Sequence, residues 1–324
     1  MSKIRVFVLG ATGLMGSMLL DYLERDPRFA VYASARDEDM LERGSIIFPK
    51  VSWHRLSLET TEPNYNRLSL LPAVDWIINC ISVSQMFLSE DSIKSREQAL
   101  FINALFPQEI AKLRASRDCK VIQITGDGVF SGLEGNYLEG SPHDSADTYG
   151  KSLSLGERVS PNVYLLRASI LGPEPGSHKY LLEQIRHQLP GATIHGAKNI
   201  KLSCVSTLHV AKICHGLILN PPEWSGVQHI VPDGAVTEYE AMVMLANVFG
   251  RDDLEILSVD TPTRIDRTLG TSFPERNEKL WQLAGYKDHA PHLSAMFHEL
   301  QSYPYRFIPG RSGRFGKAIN RQTS

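Results

Sequence analysis

The sequence predicts an α/β protein: a doubly wound parallel sheet followed by a smaller C-terminal lobe. Three observations carry this expectation. Apolar, β-branched runs alternate with helix-like runs through the first half of the 324 residues, as in a parallel sheet covered on both faces. A glycine-rich turn joins the first strand to the first helix. After residue 170 the alternation gives way to turn formers in "GPEPGSHKY" (172–180).

The elements follow in order. "IRVFVLG" (4–10) is a continuous apolar run, a strand buried on both faces. "GLMGSMLLDYLERD" (13–26) has helical spacing and a polar end. "AVYASA" (30–35), "VSWHRLS" (51–57) and "VDWIINCIS" (74–82) read as the second to fourth strands. A long helix covers 95–116, with Pro107 bending or restarting it. "CKVIQIT" (119–125) is the fifth strand, 145–160 a helix, and "VYLLRASI" (163–170) the sixth strand. Beyond these come an amphipathic helix at 206–219, a short strand at 226–232, and a helix at 237–250 that opens on a capping Thr and stops at a Gly. The expected division is a dinucleotide-binding domain over 1–170, with part of 200–232 packed on it, a discontinuous substrate lobe over 171–300, and a basic, disordered tail over 301–324.

Composition narrows the function classes. A net charge of −2 offers no electrostatic reason to bind nucleic acid or an anionic membrane. No apolar run approaches the roughly 20 residues of a bilayer span. The N-terminus enters a strand without a signal-peptide pattern, so a cytoplasmic location is expected. Cys80, Cys119, Cys204 and Cys214 are scattered with no C-x-x-C pair, which favours buried thiols over zinc or a redox dithiol. The histidines show no metal-binding spacing either, and no metal is expected.

"VFVLGATGLMGS" sets Gly10, Gly13 and Gly16 between the first strand and first helix. A pyrophosphate needs close backbone approach, and a helix N-terminus offers it free N–H groups and a positive dipole end. Gly10, Thr12, Gly13, Leu14, Met15 and Gly16 are therefore cofactor-binding candidates in a Rossmann-type sheet. The second strand ends "YASARDED", with Ser34 and Arg36 where an NAD site carries an acid. A guanidinium suits a 2′-phosphate, favouring NADP(H), while Asp37 one residue on keeps NAD(H) open. Asn79, Cys80 and Ile81 end the fourth strand at the sheet's carboxyl edge, where ligands bind.

These motifs, followed by "ITGDGVFSGLEGNYLEG" (124–140), "YGKSLSLGE" (149–157), "LRASILGPE" (166–174) and "DTPTRIDRTLGTSF" (260–273), resemble the extended short-chain dehydrogenase/reductases. Within them the chain is most similar to the dTDP-4-dehydrorhamnose reductase-like branch. The resemblance covers about residues 3–300. It implies an NADP-dependent reductase of a 4-keto nucleotide sugar in polysaccharide or glycoconjugate synthesis. In that family a Tyr donates a proton to the substrate carbonyl, a Lys one turn later lowers the Tyr pKa, and a Thr or Ser polarises the carbonyl.

Carried over, the Tyr is Tyr149, but the Thr position holds Gly126 and the Lys position holds Leu153. Lys151 lies about 200° round the helix from Tyr149 and cannot replace the missing cation. Thr125 stands in for the hydroxyl only if a local bulge turns it, since adjacent strand side chains face opposite ways. Asp127 and Val129 of the same motif, with Arg264 and Arg267 for a diphosphate, are the substrate-binding candidates. A homodimer is a further expectation. The two altered positions leave a second reading open: a catalytically silent protein that binds dinucleotide or nucleotide sugar as a regulatory or scaffold subunit.

Overall fold

The computed structural model describes residues 2–58, 71–116, 119–157, 160–161, 163–176 and 179–306. The predicted basic tail from 307 onward lies outside the described residues, as do 158–159 at the end of the predicted 145–160 helix. The chain runs β1 (Ile4–Leu9), α1 (Leu14–Glu24), β2 (Phe29–Ala35), α2 (Glu38–Ile47), β3 (Ser52–Arg55), β4 (Trp76–Asn79), α3 (Ile93–Ala99), α4 (Phe106–Ser116), β5 (Lys120–Thr125), α5 (Thr148–Gly156) and β6 (Val163–Arg167). It continues with β7 (Ser169–Leu171), α6 (Leu181–His187), β8 (Thr193–Ala197), β9 (Ile200–Leu202), β10 (Cys204–Ser206), α7 (Thr207–Leu219), β11 (Gly226–His229), β12 (Val236–Thr237) and α8 (Glu238–Val248). β13 (Glu255–Val259), β14 (Ile265–Asp266), α9 (Pro274–Leu283) and α10 (Leu293–Ser302) complete it.

Seven parallel strands form one sheet in the order β11-β6-β5-β4-β1-β2-β3. Alternation along each strand divides the apolar residues between two faces. Val6 and Val8 join one core cluster with Ile78, Ile122 and Leu166. Phe7 and Leu9 join the other with Ile77, Val121 and Leu165. The strand order reverses between β1 and β4, so connections leave in opposite directions and open a crevice at the carboxyl edge. That crevice receives the turn after β1 and the loops after β4 and β5.

Several boundaries differ from the sequence expectation for local reasons. The fourth strand stops at Asn79 because its side-chain Oδ1 accepts the Ile81 N–H at 3.1 Å, turning the chain out of the ladder. The helix expected over 145–160 begins at Thr148, since the Asp147 carboxylate caps it by accepting from the Gly150 N–H at 2.7 Å. The sixth strand breaks at Ala168: β6 stays in the main sheet, and β7 pairs instead with β10. The strand expected at 226–232 is β11, which extends the main sheet beside β6.

The 95–116 helix is longer and irregular. α3 and α4 are joined by a π-helical stretch, Leu100–Leu105. Pro107 has no N–H to give the Asn103 carbonyl one turn back, and the widened turn lies immediately before it. The Asn103 carbonyl instead meets α5 closely: a Cβ at Gly156 would lie 1.9 Å from it.

A buried charged network braces the carboxyl ends of β5, β6 and β11. Arg167 is fully buried and ion-paired to Glu157. It also bonds His229 Nε2 at 2.6 Å and His143 Nε2 at 3.0 Å. At the end of the described residues Tyr303 to Arg306 lie against α1, with Arg306 bonded to Asp21 and Glu24 at 2.7 Å each. Those residues fall inside the span the sequence assigns to a disordered tail. Arg306 joins Arg25 on the buried carboxylate of Asp21, and the Tyr305 hydroxyl donates to Ser17 Oγ.

Replacing Arg167 by Met strands the Glu157 charge inside the protein. Loss of about 3–5 kcal/mol of unfolding free energy is expected, measured by urea denaturation. A change below about 1 kcal/mol would contradict the role assigned to this pair.

Candidate active site

The β1–α1 turn is built for close approach. Gly10 has φ +75°, in the left-handed region that glycine alone enters freely. A Cβ on Gly16 would lie 2.1 Å from the Gly10 carbonyl oxygen, and one on Gly10 would lie 2.9 Å from Ile81 Cγ1. α1 starts with no side-chain cap on its N-terminus and no acid in its first turn. Its first N–H groups therefore have no intrahelical acceptor and face outward with the positive dipole end. Such a cradle fits a dinucleotide pyrophosphate.

The sequence candidates around this turn separate into two kinds. Thr12 and Leu14 are half-buried and Gly13 is exposed, so they can touch a ligand. Met15 turns its side chain into the core and has only its backbone to offer. Ser34 is buried, and its hydroxyl accepts the Gly10 N–H at 2.9 Å. It therefore shapes the turn, which corrects the expectation that it meets the cofactor directly. Asp37 is committed too: its carboxylate accepts the Met40 N–H at 3.0 Å and caps α2. Arg36 is exposed and has no hydrogen bond or ion pair among the described residues.

Asn79 is buried and donates to Gln123 Oε1 at 2.8 Å, locking β4 to β5. Ile81 backs Gly10, and Cys80 between them is half-buried with its thiol pKa pushed well up by burial. None of the four cysteines is in a disulfide, and no cluster of metal-ligating side chains occurs among the described residues.

Tyr149 stands at the start of α5, against the loop that follows β5. Its ring presses on Gly128, where a Cβ would come within 2.5 Å of Tyr149 Cε1. Its hydroxyl has no hydrogen-bond partner among the described residues. Burial, reinforced by the nearby Asp127 and Tyr180, drives its pKa far above that of a free tyrosine. A Cβ on Gly126 would lie 3.7 Å from Tyr149 Oη, with no atom nearer. Position 126 is thus the place from which a side-chain hydroxyl would reach the tyrosine. Leu153 is buried with Val129, Phe130, Tyr137 and Leu269, and Tyr149 packs on the same cluster. No cation comes from α5.

Three expectations need correction. Thr125 does not turn toward Tyr149; its hydroxyl donates to Glu157 Oε1 at 2.9 Å and belongs to the Arg167 network. Val129 is fully buried in the apolar cluster, so its side chain is packing and not a substrate contact. Arg264 is 71% exposed, 3.8 Å from the buried Asp266, and its side chain lies on the surface rather than beside Tyr149. Asp127 and Arg267 remain as polar groups beside Tyr149. Burial raises the Asp127 pKa, offset by Arg267, a bond from Ser169 and Arg167. Asp127 Oδ2 and Arg267 Nε are buried without hydrogen-bond partners.

The sequence reading missed Asn103. It lies in the π-helical stretch, accepts the Val83 N–H at 2.8 Å and donates to Ser152 Oγ at 3.0 Å. Ser152 in turn donates to the Tyr149 carbonyl at 2.7 Å. Asn103 therefore ties the loop after β4 to the helix that carries Tyr149. The proline four residues on was the available signal, since π-helical turns collect at functional sites.

Comparison with known proteins bears on the family and the fold. The family description "RmlD substrate binding domain" matches residues 4–269. No curated protein matches the chain at a significant level. Among solved structures, a dTDP-4-dehydrorhamnose reductase from Bacillus anthracis in complex with NADP is 18% identical, over 92% of this chain and 98% of that one, with a TM-score of 0.69. A hypothetical dTDP-4-dehydrorhamnose reductase from Sulfolobus tokodaii is 21% identical, over 84% of this chain and 94% of that one, with a TM-score of 0.66. A UDP-glucuronic acid 4-epimerase from Bacillus cereus, in complex with UDP-glucuronic acid and NAD, is 16% identical over 92% and 99%, with a TM-score of 0.68. At these identities the likeness establishes the fold.

Asp127 also sets a pH dependence. A carboxyl whose folded pKa is raised favours the fold when protonated, and that contribution is lost as pH rises through the folded value. Asp127→Asn is therefore expected to raise the melting temperature at pH 7, with the gain disappearing toward pH 3.5. Melting curves across that range test it; a gain independent of pH would show the carboxyl is not strained by burial.

Proposed function

Because the chain belongs to the RmlD substrate binding domain family, a branch of the extended short-chain dehydrogenase/reductases, we propose that it binds NADP(H) and reduces a 4-keto nucleotide sugar. The observation that carries this reading is the uncapped α1 N-terminus behind a turn where Gly16 meets the Gly10 carbonyl too closely for any side chain. Thr12, Gly13 and Leu14, with the backbone of Met15, would hold the pyrophosphate. Arg36 would hold a 2′-phosphate, and its freedom beside an Asp37 already spent on capping α2 supports NADP over NAD. A reduced pyridine dinucleotide bound there supplies the hydride.

Tyr149 supplies the proton. Its raised pKa leaves the phenol fully protonated at neutral pH and the phenolate almost unpopulated. It can give a proton to a carbonyl oxygen but is a poor base for taking one from an alcohol. A phenol that holds its proton this firmly is also a weaker acid than a free tyrosine, so the transfer calls for a positive charge beside the phenolate it leaves. Asp127 is placed to accept hydrogen bonds from the sugar. On this reading the product feeds polysaccharide or glycoconjugate synthesis in the cytoplasm.

A second reading rests on Gly126 and Leu153, which leave Tyr149 without its usual hydroxyl and lysine partners. Here the chain binds the same ligands as a silent regulatory or scaffold subunit, alone or as a homodimer.

Fluorescence titration with NADPH and NADH, then turnover on a panel of 4-keto nucleotide sugars, separates the two readings. Catalysis predicts tighter NADPH binding and a loss of about 10²–10⁴ in kcat for Tyr149→Phe. NADPH binding with no turnover, indifferent to Tyr149→Phe, would select the silent reading. Combining Leu153→Lys with Gly126→Thr is expected to raise turnover. Gly126 has an ordinary extended φ of −125°, and its Cβ would make only ordinary contacts, the nearest at 3.7 Å, so the threonine should cost little stability. Unchanged turnover in this double variant would count against Tyr149 as the proton donor.

A further inference from the structure

A tyrosine that becomes a phenolate in a buried site needs a positive charge near it. Lys151 is exposed on the opposite side of α5 and faces Glu90. Arg167 is spent on Glu157, His143 and His229. Arg264 is on the surface beside Asp266.

Arg267 differs from all three. The segment that carries it is fastened to the loop that carries Asp127. Asp266 N–H donates to the Gly132 carbonyl at 2.7 Å, and Tyr137 N–H donates to the Thr268 carbonyl at 2.9 Å. A Cβ on Gly132 would lie 3.1 Å from Arg267 Cγ, so the side chain is pressed along that loop. Arg267 makes no ion pair among the described residues. Its Nε and Asp127 Oδ2 are both buried and both without a hydrogen-bond partner.

We propose that Arg267 is the positioning cation of this site, supplying across the fold the positive charge beside Tyr149 and Asp127 that Leu153 removed from α5. The inference rests on the reductase reading above. When Tyr149 gives its proton to the substrate carbonyl oxygen, the phenolic O–H bond breaks and a new O–H forms on the sugar. The hydride comes from the reduced pyridine dinucleotide, and the negative charge stays on Tyr149. Arg267 stabilises that phenolate and holds Asp127 ionised to orient the sugar. The charged and titratable groups facing this trio are Asp144 near Arg267, Arg167 and the Cys204 thiol near Asp127, and Tyr180 and Asp147 near Tyr149. Arg267 acts favourably on the ionised forms of Asp127, Asp144 and Tyr149 alike.

The test is Arg267→Gln, alone and with Leu153→Lys, in the full chain. The single variant is expected to lose about a hundredfold in kcat with KM nearly unchanged, and Leu153→Lys is expected to restore most of that loss. A raised KM at unchanged kcat would make Arg267 a substrate anchor only and overturn the proposal, as would failure of the lysine to rescue. A second readout needs no turnover. Carboxyl carbon NMR, with the Asp127 signal assigned through Asp127→Asn, should show its pKa rising by about one unit in Arg267→Gln. No rise overturns the proposal. If the wild type binds NADPH without turnover, the reductase reading fails while the carboxyl titration still decides the role of Arg267.

Discussion

The structure depends most on one close contact, the Gly10 carbonyl oxygen against the α-carbon of Gly16. No side chain fits between them. Their approach sets α1 against the end of β1 and aims its unsatisfied N–H groups over the carboxyl edge of the sheet. Everything else at the site is arranged around that point. Ser34 holds the Gly10 N–H from β2, and Ile81 packs against Gly10 from the loop after β4. Three neighbouring strands thus converge on one turn, and any movement of α1 would disturb all of them.

The second half of the site is organised by another small-residue contact. Gly128 lies under the ring of Tyr149, and a Cβ on Gly150 would come within 2.2 Å of the Gly128 carbonyl oxygen. The β5–α5 loop and α5 are therefore locked together before any question of chemistry arises. Leu153 then completes an apolar cluster with Val129, Phe130, Tyr137 and Leu269. A lysine there would stand over this cluster with its ammonium toward Tyr149. The leucine exchanges that charge for packing, and the free energy of ionising Tyr149 rises accordingly. An arginine from a distant segment is left as the charge that can answer it.

Behind the site, Arg167 and Glu157 bind β6 to the end of α5, and Thr125 and two histidines complete the set. Burial, and next the Arg167 charge, hold the His229 pKa down, so it sits neutral between Arg167 and the Gly270 carbonyl. This arrangement stiffens the strand ends and reaches the site only through the Arg167 charge near Asp127. It also explains why a threonine next to the active position is silent: its hydroxyl is already committed on the other side of the strand.

Much was legible in the sequence, because strand burial, helix periodicity and glycine at a βα turn are local properties. Gly10, Gly13 and Gly16 mark the close turn between β1 and α1, Tyr149 stands at the head of its helix, and Leu153 is visibly not a lysine. The capping Thr237 begins α8 with a full capping box. What a linear reading could not reach were properties of partners far apart in the chain. Ser34 and Thr125 carry hydroxyls suited to a ligand, and only their bonds to Gly10 and Glu157 withdraw them. Val129 and Arg264 share motifs with Asp127 and Arg267, yet one is core and the other surface. Asn103 gains its role only where a widened turn meets the loop after β4. Residue type and spacing decide which groups are present; the three-dimensional packing decides which of them still have a free atom to offer, because a hydrogen bond made within the protein is one that no ligand can use.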